Sequence, residues 1–286
     1  MFLYIDKVEF IQEEQTVPEL PEVEVTRACI APHITGNTVA GVTVHRSKLR
    51  WPVSPELVDL LPGQTIHSVE RRGKYLLLHC PLGGVLIHLG MTGQLRILQN
   101  ADDLGKHDHV ELAFENGIVL RLNDARCFGS VLWAGSDPSA HKLLADLGPE
   151  PLTDSFNGAY LYRKSRWRKL AVKQFIMDHR VVAGVGNIYA NEALFHAGIL
   201  PTTPAGLLDE DRSEHLAQAL KSELATAIEI GLAWLDPSAR GGRVGYFPRQ
   251  WAVYQRAGLP CESCAEPIQH IRSGQRSTFF CTTCQR

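Results

Sequence analysis

Between Val39 and Trp133 the sequence breaks into the short runs TVAGVTVHR, QTIHSVE, KYLLLHC, GGVLIHLG, GQLRIL, HVELAF, GIVLRLN and FGSVLW, separated by turn residues. Helices of ordinary length do not fit between turn signals this close together, whereas short strands do. The spacing therefore predicts an antiparallel β-sandwich or barrel. Asn116-Gly117, between two of the runs, predicts a tight hairpin turn of the primed type, in which both central residues take φ > 0.

On either side of this block the periodicity becomes helical. Pro21 followed by Glu22 and Glu24 suits the start of a helix, since proline is tolerated in the first turn and acids favour the positive end of the dipole; the helix should stop near Pro32. A segment from Ala140 to Leu147 opens a helical half. LGPEPLTDS (Leu147 to Ser155) reads as a linker, and helical spacing returns over Lys169 to Met177, Asn187 to Ala197 and Asp211 to Ile230. The expected fold class is thus α+β and multidomain. We place an extension at 1–17, the β-domain at 18–148, a helical domain at 149–256 and a small terminal unit at 257–286.

That terminal unit is too short to hold itself together by apolar burial. It carries Cys261-x2-Cys264 and, sixteen residues later, Cys281-x2-Cys284, the spacing at which two knuckles present four thiolates to one structural zinc ion. A redox Cys-x-x-Cys would not need two pairs at ribbon spacing. Cys29, Cys80 and Cys127 are scattered, which fits a reducing compartment.

The formal charge is −2, but its distribution says more than its sum. Arg163, Lys164, Arg166, Arg168, Lys169, Lys173 and Arg180 face one acid, Asp178, in their stretch. From Ser238 onward seven arginines face only Glu262 and Glu266. Residues 1–16 are acidic, and without them the net charge would be +1. Arg272 and Arg276, on the zinc hairpin, read either as phosphate contacts or as ordinary solvated arginines. No apolar stretch approaches the roughly 18 residues a bilayer span needs. Asp6, Lys7 and Glu9 break any signal-like run at the start, so a cytosolic address is expected.

Taken singly, several residues invite bland readings: Pro18-Glu19 as a helix cap, Lys74 as a solvated strand start, Met91 and Phe128 as core. In order along the chain, however, stand PELPEVE (Pro18 to Glu24), RRGKYLLL (Arg71 to Leu78), HLGMTGQLR (His88 to Arg96), KHDHVEL (Lys106 to Leu112), GVGNIYANEALF (Gly184 to Phe195) and the cysteine ribbon. This series resembles the bacterial formamidopyrimidine-DNA glycosylase family over essentially everything from Pro18 to Arg286.

The resemblance implies a bifunctional DNA glycosylase and AP lyase of base excision repair. Its partner would be double-stranded DNA bearing oxidised purines (8-oxoguanine, formamidopyrimidines) or abasic sites. It also implies a β-sandwich with an N-terminal helix, a helix-two-turns-helix domain and a β-hairpin zinc ribbon, in a monomer. Pro18 would be the catalytic amine, Glu19 its acid/base partner and Lys74 a phosphate contact that assists catalysis. An iminium on a secondary amine has no N–H to lose and so stays an electron sink. Met91 and Phe128 would fill the space left by the extruded nucleotide, and Arg126 would hydrogen-bond the widowed cytosine. His107, Lys173, Asn187 and Arg276 match phosphate-contacting positions. Reading His107 and His109 as a metal pair lacks a third ligand.

The sequence departs from the family pattern in three places. Seventeen residues precede Pro18, making its nitrogen a tertiary amide that cannot attack; a start at Val17 from a GUG codon, with removal of the initiating methionine, would free it. Arg126-Cys127-Phe128 stands where two arginines are usual. The lesion-capping loop ARGGRVGYF (Ala239 to Phe247) keeps its glycines within an unusual flank. Two other readings stay open: a glycosylase of the endonuclease VIII branch acting on oxidised pyrimidines, against which Leu20 and the Arg126/Phe128 pair speak, and a zinc-ribbon DNA-binding protein whose chemistry the extension blocks.

Overall fold

The structure is a computed structural model and describes residues 17–99, 104–235 and 247–286. The extension before Val17 and the capping loop up to residue 246 lie outside the described residues.

Each of the alternating runs contains a strand: β1 (Val39–Val44), β2 (Ser68–Arg72), β3 (Tyr75–Cys80), β4 (Gly83–His88), β5 (Gly93–Leu98), β6 (Asp108–Phe114), β7 (Val119–Asp124) and β8 (Ser130–Trp133). They form two antiparallel four-stranded sheets, ordered β1-β6-β7-β5 and β2-β3-β4-β8. Leu76, Leu78, Val85 and Ile87 of one sheet meet Leu95, Val110, Leu112, Leu120 and Leu122 of the other in one buried core. This is the expected sandwich.

The Asn116-Gly117 turn differs from the expectation in type. Only Gly117 has a positive φ (83°), while Asn116 does not. Gly117 N–H donates to the Phe114 carbonyl (3.0 Å), and Phe114 N–H closes the loop on Ile118 (2.8 Å). The loop is one residue longer than a primed two-residue turn, which lets a right-handed turn precede a single left-handed glycine. The primed geometry occurs instead at Gly274-Gln275 of the zinc hairpin, where φ is 54° and 62°.

Helix α1 (Leu20–Ile34) runs past Pro32. So near the end of a helix, a proline forfeits little more than its own N–H, and Ile30 and Ile34 keep the last turn anchored in the sandwich core. The helix also joins the two halves of the molecule, because Leu20 belongs to the helical core whereas Val23, Ile30 and Ile34 belong to the sandwich.

After α2 (Glu56–Leu60) within the β-domain and α3 (Lys142–Ala145) at its end, the helical half comprises α4 (Gly158–Ser165), α5 (Val172–Ile176), α6 (Asn187–His196) and α7 (Glu210–Ala233). Helix α5 starts three residues later than periodicity predicts. The segment before it pairs with another strand-like segment: Ala171 bridges Pro204, Ala205 N–H donates to Leu170 (2.8 Å), and Val172 N–H to Thr203 (2.7 Å). Tertiary pairing overrides local propensity there. The terminal hairpin is β9 (Gln269–Ser273) with β10 (Arg276–Phe280), packed through Phe279, Ile268 and Cys281 on Val253 and Phe195.

Candidate functional site

The start of α1 docks on the turn that leads into α6. Leu20 N–H donates to Gly184 O (3.2 Å), and Gly184 holds φ +82° where an added Cβ would lie 2.6 Å from Leu20. Glu19, only 2% exposed, places Oε1 3.0 Å from Ile188 N–H in the first turn of α6. The unpaired N–H groups and positive dipole end there favour a carboxylate. Gly186 makes room for it, since a Cβ at 186 would stand 2.1 Å from the Glu19 carboxyl carbon. Glu19 Oε2 is buried with no partner among the described residues, as is Asn187 Oδ1. Pro18, the residue before Glu19, is also buried.

A second acid sits behind the first. Glu22 accepts from Glu19 N–H (2.9 Å) and from the Tyr189 hydroxyl (2.7 Å). Burial, opposed by the Tyr189 hydrogen bond and reinforced by the Glu19 charge, pushes its pKa up to about 7. In sequence Glu22 reads only as a helix-dipole acid, and nothing local distinguishes it from Glu24.

Lys74 follows Gly73 in the two-residue turn between β2 and β3. Gly73 (φ +57°) packs against Ala183 and Gly184, so this turn abuts the turn holding Leu20. Glu150, from the linker, clamps it by accepting from Gly73 N–H (2.7 Å), Arg71 (2.6 Å) and Arg72 (2.7 Å). Lys173 is placed otherwise than a surface phosphate contact would be. It is 1% exposed, and its amine donates to Ser277 O (2.6 Å) and Thr278 Oγ1 (2.7 Å), fastening the zinc hairpin to α5. Burial lowers its pKa to about 7, against the pull of Glu19 and with the push of Arg276. Arg276, exposed at the start of β10, is thereby a close electrostatic neighbour of this cluster.

Met91, Arg126 and Phe128 form a separate group. Phe128 is 41% exposed and is no core residue; Met91 is half-buried, and the Arg126 guanidinium lies 4.8 Å from the Phe128 ring centre. Their two loops are tied by Asp124, which has no exposed surface. Its carboxylate accepts from Thr92 Oγ1 (2.5 Å), Gly129 N–H (2.7 Å) and Arg126 N–H (3.3 Å). Gly90 meets the Phe128 backbone so closely that a Cβ would fall at 2.4 Å. Cys127 takes φ +56°, with its sulfur 3.5 Å from His109 Nε2. His109 Nε2 is occupied by the Asp124 carbonyl (2.7 Å), and His107, half-buried, uses its carbonyl to accept from Asp124 N–H.

His88 links the two groups. Burial first, then Lys74 and Arg50, hold its pKa down to about 4, with Asp124 opposing. It is neutral, and its Nδ1 accepts from Gly90 N–H (2.9 Å) at the base of the Met91 loop.

The four ribbon thiols converge. Cys261, Cys264, Cys281 and Cys284 place all Sγ atoms within 4.8 Å of one another, with Cys261 to Cys284 at 3.9 Å and Cys264 to Cys281 at 3.4 Å. Tetrahedral zinc with bonds of about 2.3 Å sets sulfurs about 3.8 Å apart, so the thiols fit the ion. Among the described residues no other group of three or more ligands converges this way.

The chain matches three family models in succession: the formamidopyrimidine-DNA glycosylase N-terminal domain over residues 17–131, its H2TH domain over 147–236, and the zinc finger found in FPG and IleRS over 258–286. This chain belongs to the formamidopyrimidine-DNA glycosylase family. It is 52% identical over 270 residues to the formamidopyrimidine-DNA glycosylase of Geotalea uraniireducens (strain Rf4), covering 94% of this chain and 100% of the relative. It is 49% identical over 271 residues to that of Stenotrophomonas maltophilia (strain K279a), with the same coverage. Among solved structures, the Lactococcus lactis Fpg in complex with DNA containing an abasic site superposes with a TM-score of 0.84 at 28% identity, covering 94% of this chain and all of that one. For this formamidopyrimidine-DNA glycosylase family member the zinc is structural: four protein sulfurs close the coordination shell. No described helix is long and apolar enough to cross a membrane.

Proposed function

We propose that the chain excises oxidised purines, 8-oxoguanine and formamidopyrimidines, from double-stranded DNA and then cleaves the strand by β,δ-elimination, with Pro18 as the attacking amine. The observation that carries this is the carboxylate of Glu19, the residue after Pro18. One oxygen of Glu19 is fixed by Ile188 N–H, and the other is buried and left to serve the substrate. Attack of the proline nitrogen on C1′ forms the C–N bond as the glycosidic bond breaks and the base leaves with a proton. Glu19 assists opening of the deoxyribose and later proton transfers. The resulting iminium carries no N–H and withdraws electrons while the 3′- and then the 5′-phosphate depart.

Lys74, His107, Asn187 and Arg276 hold backbone phosphates. Met91 and Phe128 fill the vacated stack, and Arg126 reads the opposing cytosine. The enzyme acts as a monomer in the bacterial cytoplasm, where its DNA lies. The domains divide at 18–148, 149–256 and 257–286.

This chemistry needs a free amine, so the active protein begins at Pro18 and residues 1–17 are absent from it. Relatives matched along their whole length cover 94% of this chain, and the family match opens at residue 17. The test is borohydride trapping on an 8-oxoguanine·cytosine duplex, with protein beginning at Pro18 beside the 286-residue chain, read by intact mass. Trapping of the short form alone is expected. Met1 or Phe2 at the N-terminus of active native protein would overturn the proposed start. Duplex binding with no trapping by either form would leave a DNA-binding protein. Faster excision of an oxidised pyrimidine than of 8-oxoguanine would move the substrate to the endonuclease VIII type.

A further inference from the structure

Trp167 is 96% exposed, and its backbone sits at φ +63°. A bulky side chain at positive φ is uncommon, because its Cβ crowds the backbone in the left-handed region where glycine is at ease. Neither packing nor backbone preference accounts for tryptophan here. The loop around it is firmly set: Arg168 N–H donates to Ser165 O (3.0 Å), Gly206 N–H to Arg168 O (2.8 Å) and Ala205 N–H to Leu170 O (2.8 Å). Arg166 lies over the Tyr162 ring and donates to Tyr162 O (3.0 Å) and Leu208 O. The indole is a knob on a fixed loop.

Its surroundings combine two chemistries. Leu170 (44% exposed) precedes α5, and Leu207 (68%) follows Gly206, where an added Cβ would lie 3.0 Å from Arg168 O and 3.4 Å from Trp167 N. These extend the apolar surface. Lys164, Arg168 and Lys169 are exposed in the same stretch, and among the described residues none of these three side chains has an ion-pair partner, whereas Arg163 lines a cleft with Glu210, Asp211 and Glu214. Exposed leucines contribute nothing to holding phosphates, whereas an apolar centre with a cationic rim fits a protein segment of opposite charge. We propose that Trp167, Leu170 and Leu207, flanked by Lys164, Arg168 and Lys169, form a docking surface for an acidic peptide segment with apolar anchor residues, supplied by another protein.

The test uses a fluorescently labelled synthetic peptide, a run of aspartates ending in leucine and phenylalanine, with an all-aspartate control, titrated with the protein beginning at Pro18. Trp167→Gly is the chosen variant, because glycine relieves the left-handed backbone and leaves the loop free to fold. Saturable binding of the apolar-ended peptide is expected, weakened about tenfold by Trp167→Gly, as for an aromatic hot spot. Binding should also weaken with added salt and in Arg168→Glu/Lys169→Glu, while lesion-duplex affinity stays unchanged in Trp167→Gly. No binding of this peptide, or binding indifferent to Trp167→Gly, overturns the proposal. A loss of duplex affinity in Trp167→Gly with peptide binding intact overturns it as well and assigns the knob to DNA.

Discussion

The Glu19 carboxylate rests on the backbone N–H of Ile188, 3.0 Å away and 169 residues further along the chain. The N-terminal end of α1 is therefore held by the turn before α6, and the missing side chain of Gly186 leaves room for the carboxylate. Gly186→Ala should displace the carboxylate and lower excision and lyase rates by about 10²-fold, the lower range for loss of a positioned acid/base group. Single-turnover kinetics beside a circular-dichroism spectrum check this; a correctly folded, fully active variant would refute the assignment of Glu19.

Asp124 accepts from both loops that carry Met91, Arg126 and Phe128. Asparagine has nearly the same shape but turns an NH2 toward a donor. Asp124→Asn should cost about 1 to 3 kcal/mol of stability. It should also weaken binding to lesion duplex more than to undamaged duplex, because the loops rather than the phosphate contacts are loosened. Urea unfolding and paired titrations measure the two effects.

Glu22 gives a pH dependence with a defined sign. Its folded-state pKa of about 7 stands above the ordinary 4.5, so the folded protein keeps a proton that the unfolded chain releases. The group costs no stability below pH 4.5 and removes stability as pH rises from there toward 7. Glu22→Gln, which like the protonated acid pairs a donor group with an acceptor oxygen and cannot ionise, escapes this loss. Relative to the unsubstituted protein it should gain on the order of 3 kcal/mol between pH 4.5 and 8. Unfolding curves at both pH values test it.

Removing zinc should release the hairpin and with it the acceptors of Lys173, Ser277 O and Thr278 Oγ1. Cys264→Ser, or treatment with a strong chelator, should abolish metal content and reduce duplex affinity at least tenfold. The sandwich should remain folded, because its core shares no residue with the ribbon cluster. Metal analysis, near-UV circular dichroism and binding titrations read the three outcomes.

Much of this molecule is legible in one dimension. Strands alternate with period two, helices have their own spacing, and paired thiols at ribbon separation have few uses besides zinc. These are local rules, and the eight strand runs and the four cysteines obey them. The PELPEVE and GVGNIYANEALF strings mark the site because Pro18, Glu19 and Asn187 lie within them. Gln174 and Ser273, whose side chains join α5 to the hairpin tip at 3.1 Å, carry no such mark.

Local pattern settles the menu of elements and the chemical groups available: a proline-glutamate pair, an Arg126-Cys127-Phe128 loop, a metal knot. Tertiary structure alone decided which groups are buried together, because desolvation and close approach depend on neighbours distant in the chain. Glu22 and Glu24 look alike in sequence, yet only Glu22 is enclosed against Tyr189 and holds its proton near neutrality. Lys173 resembles the arginines and lysines around it, yet burial under β10 makes it a brace for the hairpin. Asp124 and Glu150 become the ties of two loops and of a turn for the same reason: a carboxylate gathers whichever N–H groups the fold brings to it.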